Sequence, residues 1–186
     1  MKIDLGAKPL IYPQPVLLIA NYDESLSPDI MTAVWGSVAD VDKIFICVDH
    51  NHKTMDNILL NKEFTVSIAT TDYAKNADYV GIVSLKNDKD KINKSGFTLT
   101  PSKRIKAPII NELPLALECE LISFDPKTDY LFARVINVIC DESILLENKK
   151  LDLSKFKPLA YDASNHKYLS LGEPVADAFK DGKLLF

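Results

Sequence analysis

The sequence predicts a mainly β protein with short helices, folded as a closed or nearly closed antiparallel barrel. Three observations lead there. Apolar, β-branched runs recur at short spacing. Polar, turn-rich segments separate several of them. Regular strand–helix alternation and a GxGxxG after the first strand are both missing, which argues against a doubly wound parallel sheet. With 186 residues, no internal repeat and no low-complexity linker, the chain reads as one domain over 1–186.

The elements follow in order. Leu10 to Pro15 is an extended lead-in, because Pro13 and Pro15 forbid helix. Val16 to Tyr22 is a strand whose continuous apolar run predicts burial on both faces. Asp23 to Pro28 turns the chain into a second strand, Pro28 to Ser37. Lys43 to Val48 is a third. A polar cluster, Asp49 to Thr54, then precedes a short helix from Thr54 to Asn61, with Thr54 or Asn51 as its cap. Phe64 to Ala69 alternates: Phe64, Val66 and Ile68 on one side, Thr65, Ser67 and Ala69 on the other. Asp72 to Val83 is a weaker helix. Ser84 to Phe97 is a charged loop with one helical turn. Pro101 to Pro114 is a basic connector. Leu115 to Phe124 is a strand with Leu117, Cys119 and Leu121 inward and a wet face at Glu118 and Glu120. Asp125 to Asp129 is a hairpin turn, and Tyr130 to Cys140 a long returning strand. Leu151 to Phe156 is a helical turn, Leu159 to Tyr161 a short extended piece, residues 162–166 a loop, and Val175 to Lys180 a last helical turn.

Composition excludes several classes. The net charge of -4 argues against generic phosphate-backbone contacts, so no nucleic-acid partner is expected. No apolar run reaches the roughly 20 residues of a membrane span. Met1 to Gly6 lacks an apolar core segment, so no signal peptide is expected. Cys47, Cys119 and Cys140 lie in apolar runs without a CxxC pair, which predicts buried, reduced thiols and a cytoplasmic protein. P-loop, HExxH and GxSxG patterns are all missing, and no catalytic nucleophile is assigned. His50 and His52 would share one side of an extended chain and, with His166, could ligate a metal. Loop histidines more often only hydrogen-bond, and no metal is expected.

The stretch Pro28 to Ser37 organises the chemistry. It carries the only tryptophan, followed by Gly36 and Ser37. A strand ending this way exposes main-chain groups beside an apolar wall, which suits a flat, polar-edged ring. On this stretch alone, a buried strand with a core tryptophan is the stronger reading. The strand ends at Trp35, Asp49 and Ser67 to Ala69 are expected to meet at one rim. His50, Lys53 and Thr54 would then stand beside a helix N-terminus, where an anion is favoured. An anionic, flat, apolar-bodied ligand such as a phosphorylated flavin fits this combination.

The chain resembles the flavoredoxins within the flavin reductase-like family. The resemblance rests on residues 12–20, Asp29 to Gly36, Thr54 to Ile58, Glu63 to Ile68, Ala77 to Gly81, Asp88 to Lys91, Ala107 to Ile110 and Leu117 to Glu120, in the family's order. It implies an FMN-binding split β-barrel, a homodimer with FMN near the subunit interface, and NADH or NADPH as electron donor. It implies Thr32, Ala33, Val34 and Trp35 along the isoalloxazine ring. His50, Lys53, Thr54 and Asn57 would surround the phosphate or ribityl chain. Ser67 and Ala69 would lie beside the flavin, and Ser84 and Lys91 on a bordering loop. The activity implied is an NAD(P)H-dependent flavin reductase, or alternatively an electron carrier reduced by a partner protein. This chain departs from the family at Asp29, commonly Asn, at Ser37, often Gly, at Asp49-His50, where Arg or Lys is common, and at Leu85-Lys86, more usually Gly-Arg.

Overall fold

Seven antiparallel strands make one sheet whose two edges are joined by only two residues. The computed structural model describes residues 1–185. The sheet is built from β2 (Leu17–Tyr22), β3 (Pro28–Ala33), β4 (Gly36–Asp40), β5 (Lys43–Cys47), β6 (Glu63–Ile68), β9 (Leu115–Asp125) and β10 (Tyr130–Cys140), in the order β3-β2-β6-β9-β10-β5-β4. β3 and β4 are therefore opposite edges, yet only Val34 and Trp35 separate them. Three residue steps reach at most about 11 Å. The sheet must curl until its edges nearly meet, and the result is a barrel split at this point. The predicted single strand from Pro28 to Ser37 is thus two strands. Its middle leaves one edge and enters the other, where the Cys47 N–H donates to the Trp35 carbonyl at 2.8 Å and extends the β4–β5 pairing by one residue.

Gly36 makes the crossing possible. A Cβ there would lie 2.7 Å from Leu17 Cδ1 and 3.1 Å from the Phe45 carbonyl oxygen.

The inner core includes Leu17, Ile19, Met31, Ile46, Phe64, Val66, Cys119 and Leu131. It is closed at one end by α1 (Lys53–Asn61), which contributes Met55 and Ile58. His52 is the N-cap residue of α1 and no side chain caps the helix, so the expected Thr54 or Asn51 cap is corrected. A second core lies outside the barrel, where Val16, Leu18, Ala20, Ile30 and Ala69 pack with Ala77 and Val80. The latter two belong to α2 (Ala74–Ile82), and Phe97 follows α3 (Lys91–Ser95). The expectation that the first strand is buried on both faces holds for this reason.

Several expectations are corrected. The connector after residue 100 contains a small hairpin, β7 (Leu99–Pro101) with β8 (Pro108–Ile110). The loop between its strands covers the outer face of β9, so Glu118 is buried rather than wet. Its carboxylate accepts from the Ser102 hydroxyl and from Asn137 Nδ2 at 2.6 Å. A register shift in β10 between Val135 and Asn137 places that amide opposite Glu118.

A further sheet, missed at its last strand, joins β1 (Gln14–Pro15), β11 (Leu159–Asp162) and β12 (Lys167–Ser170). The helical turn α4 (Leu153–Phe156) lies within the expected stretch. The last helical turn falls at Asp181–Leu185 instead of Val175 to Lys180. Among the cysteines only Cys119 is buried; Cys47 and Cys140 are half-exposed. No helix among the described residues is long and apolar enough to cross a membrane.

Candidate functional site

Two cavities are candidate sites, one along the crossing between β3 and β4 and one beside Asp29 and Met31 of β3. The larger is an apolar groove of about 820 Å³ along the split. Trp35, Val34, Gly36, Cys47, Val66, Ile68 and Tyr130 line it, with Pro13 and Gln14 from the lead-in. Trp35 is 54% exposed, so it is a wall of the groove and not a core residue. The edges of a curled sheet cannot pair with each other here, because the crossing residues occupy the gap. The split therefore stays open and lined by side chains.

The smaller cavity, about 100 Å³, has a mixed lining, in which polar groups stand among Met31, Val80 and Leu85 in far larger share than in the groove. Asp29 and Met31 from β3, His52, Lys53 and Thr54 from the start of α1, Gly81 at the end of α2, and Ser84 and Lys91 from the charged loop surround it. Its floor is a buried ion pair. Lys91 Nζ lies 3.3 Å from Asp29 Oδ1 and also donates to the Ile30 carbonyl. Thr54 Oγ1 donates to Asp29 Oδ2 at 2.7 Å. Both charged side chains are almost fully buried, at 3% and 2% exposure. Burial pushes the Lys91 ammonium below its ordinary value, and the neighbouring Asp29 opposes that shift. The first-turn N–H groups of Lys53 and Thr54 have no protein acceptor among the described residues. They leave the α1 N-terminus open to an anion. Lys86 Nζ donates to the Asn51 carbonyl at 2.7 Å and ties the charged loop over this end of α1.

The structure divides the twelve residues expected at the site. Val34 and Trp35 line the groove. Lys53, Thr54, Ser84 and Lys91 line the polar pocket. The other six line neither cavity, and each has a physical reason. Thr32 faces α2, where its hydroxyl donates to the Ala77 carbonyl and its Cβ approaches Gly81. Ala33 is part of the inner core and Ala69 of the outer. Asn57 is buried and donates to Asn21 Oδ1 at 2.9 Å, fixing α1 on β2. Ser67 is fully buried, its hydroxyl without a hydrogen-bond partner. His50 is exposed, with Nδ1 2.9 Å from Asp129 Oδ1.

Thr54 is in place, but its hydroxyl proton is committed to Asp29. That corrects its reading as a free donor to phosphate.

The histidines do not converge. His166 Nδ1 lies 2.9 Å from the Tyr161 hydroxyl, beside the turn into β12. Asp49, His50 and Asp129 do cluster, with ligand atoms within 4.8 Å of one another, but they are largely exposed and satisfied among themselves. Burial, with Asp129 and Asp49 nearby, pushes the Cys47 thiol up. Cys119 is pushed up to about 12. Neither is an activated nucleophile. Sequence reading omitted Asp29 from the site, and the signal available was a lone carboxylate at the strand start.

Comparison with known proteins gives one consistent result. Residues 10–170 match the family model described as a flavin reductase like domain. A flavoredoxin from Desulfovibrio vulgaris (Miyazaki F) is 33% identical, with 98% of this chain and 100% of that chain covered and a TM-score of 0.93. An FMN-binding domain of a flavin reductases-like enzyme from Shewanella baltica OS155 superposes with a TM-score of 0.80 over 88% of this chain and 89% of that one. At 21% identity it bears on the fold. An uncharacterised protein of Aquifex aeolicus is 26% identical over 122 residues, 64% of this chain and 62% of that protein. The split-barrel architecture is thus shared with flavin reductase structures.

Proposed function

The chain belongs to the flavin reductase-like domain family, and from that premise we propose that it binds FMN and works as a flavoprotein oxidoreductase. The observation that carries this reading is the pairing of an apolar groove walled by Trp35 with a polar pocket at the open N-terminus of α1. An isoalloxazine body needs the first, and its polar edge and phosphate need the second. Trp35 and Val34 would stand beside the ring. The N–H groups of Lys53 and Thr54, with the Lys53 ammonium, would hold the phosphate. Thr54 Oγ1 and the remaining Lys91 N–H would meet the polar ring edge.

Bound FMN supplies the electron-transfer chemistry; the protein supplies binding, orientation and local charge. The residues named would hold the ring, and the open groove leaves space beside Trp35 for a reactant. No protein nucleophile is needed.

An NAD(P)H-dependent flavin reductase is the leading activity. The likeness to a flavoredoxin over nearly the whole chain favours a second reading, an electron carrier reduced by a partner protein. Mixing FMN-loaded protein with NADH or NADPH under anaerobic conditions decides between them. Rapid bleaching of the flavin supports the reductase, and bleaching only with a reduced partner supports the carrier. Failure of the protein to quench FMN fluorescence at micromolar concentration would refute both.

The protein is also proposed to be a homodimer. The outward side chains of β10 include Tyr130 and Phe132, both exposed, and Ile136 is exposed at the register shift between Val135 and Asn137. Obligate homodimer interfaces of roughly 2,000 Å² or more are built from such surfaces. Sedimentation at low micromolar concentration should give twice the chain mass.

A further inference from the structure

The ion pair lies beneath the same pocket as the open α1 N-terminus and is largely satisfied by its own neighbours. Asp29 accepts from both Lys91 and Thr54, and the three side chains form the buried floor. A carboxylate so placed does two things. It cancels the ammonium charge at close range, and it takes the Thr54 proton. Lys91 spends two N–H groups on Asp29 and the Ile30 carbonyl and keeps one. The floor thus offers a ligand one N–H donor and one hydroxyl acceptor with little net charge. Such a pair suits a ring edge where an N–H adjoins a carbonyl. It suits an anion poorly.

We infer that Asp29 is a positioning residue that holds this floor electrically neutral, and thereby sets how strongly the site favours the oxidised over the reduced ring. The inference rests on FMN binding at this site. Reduction by two electrons and one proton leaves the ring one negative charge richer. In a measurement with dithionite the reductant supplies the electrons and solvent the proton. An unopposed Lys91 would favour that extra charge, and an unopposed Asp29 would oppose it. With both present the two effects offset each other.

The test measures the midpoint potential of bound FMN and of bound riboflavin in wild type, Asp29→Asn, Lys91→Met and the double variant. Asp29→Asn should favour binding of the reduced over the oxidised ring by about tenfold, a rise of about 30 mV for a two-electron couple. Lys91→Met should shift the potential by a similar amount the other way. The double variant should return to the wild-type value, and riboflavin should show the same shifts, since the charges act on the ring. Single variants leave a buried charge unpaired, so folding is checked by thermal melting. The double variant carries neither charge and is the tolerant one. If only it folds, its potential must match wild type.

Shifts in the same direction, no shift, a double variant unlike wild type, or shifts confined to FMN would each overturn the inference. A wild-type protein that binds no FMN would instead defeat the functional reading from which it starts.

Discussion

The two halves of the barrel are built from similar strands but end differently. On the β3-β2-β6 half, α2, the β7-β8 hairpin and β11 cover the outer face, and residues such as Leu18, Ile30 and Thr65 are fully buried. On the β10-β5-β4 half the outer face is bare. There Tyr130 and Phe132 point outward and Ile136 is exposed at the register shift in β10, while Leu131 and Ala133 point in. Strand patterning alone makes both halves apolar. What differs is the second layer, which the chain itself supplies for one half only. The bare half is the surface proposed for a second subunit, and the apolar groove lies where the halves meet.

That contrast can be tested by substitutions of decreasing effect. The largest is expected at the covered half's buried charge. Lys91→Met leaves Asp29 buried without its partner and should lower unfolding free energy by about 3–5 kcal/mol in urea titrations. A neutral result would mean that the pair is hydrated. Leu18→Ala removes a fully buried side chain from the outer core and should cost about 2–5 kcal/mol by the same measurement.

At the junction, Gly36→Ala presses a methyl group on Leu17 and the Phe45 carbonyl. It should cost about 1–3 kcal/mol and narrow the groove, so FMN affinity should fall with it. Ile136→Ser on the bare half should change chain stability by under about 0.5 kcal/mol. It should raise the dimer dissociation constant in sedimentation. A large loss of chain stability there would erase the distinction between the halves.

The smallest effect is one of pH. Burial lowers the Lys91 pKa in the folded chain, so above that value the unfolded chain binds more protons. This group's contribution to stability therefore rises with pH, from the folded value up to the unfolded one near 10.4. Wild type should show this slope in alkaline urea titrations, and Lys91→Met should lose it.

Much of this fold was legible along the chain. The strand positions, the helix from Lys53 to Asn61 and the hairpin at Asp125 to Asp129 follow from local apolar periodicity and turn chemistry. Of the residues singled out along the chain or by the resemblance, Trp35 lines the groove, and Lys53, Thr54, Ser84 and Lys91 line the smaller pocket. Asn57, Ser67 and Ala69 were misplaced because a strand or helix residue faces a cavity or a second layer depending on what packs against it. Glu118 reads as a wet-face residue until the loop between β7 and β8 is laid over it.

By itself the sequence determined the barrel's parts, since periodicity and propensity are properties of neighbours along the chain. Only the tertiary structure decided how the barrel is split, which half is covered, and that Lys91, in a run of charges, is buried on Asp29. Those outcomes depend on residues far apart in sequence. Asp29 and Lys91 are joined only once the sheet has curled and the loop has closed over it, and no local pattern records that pairing.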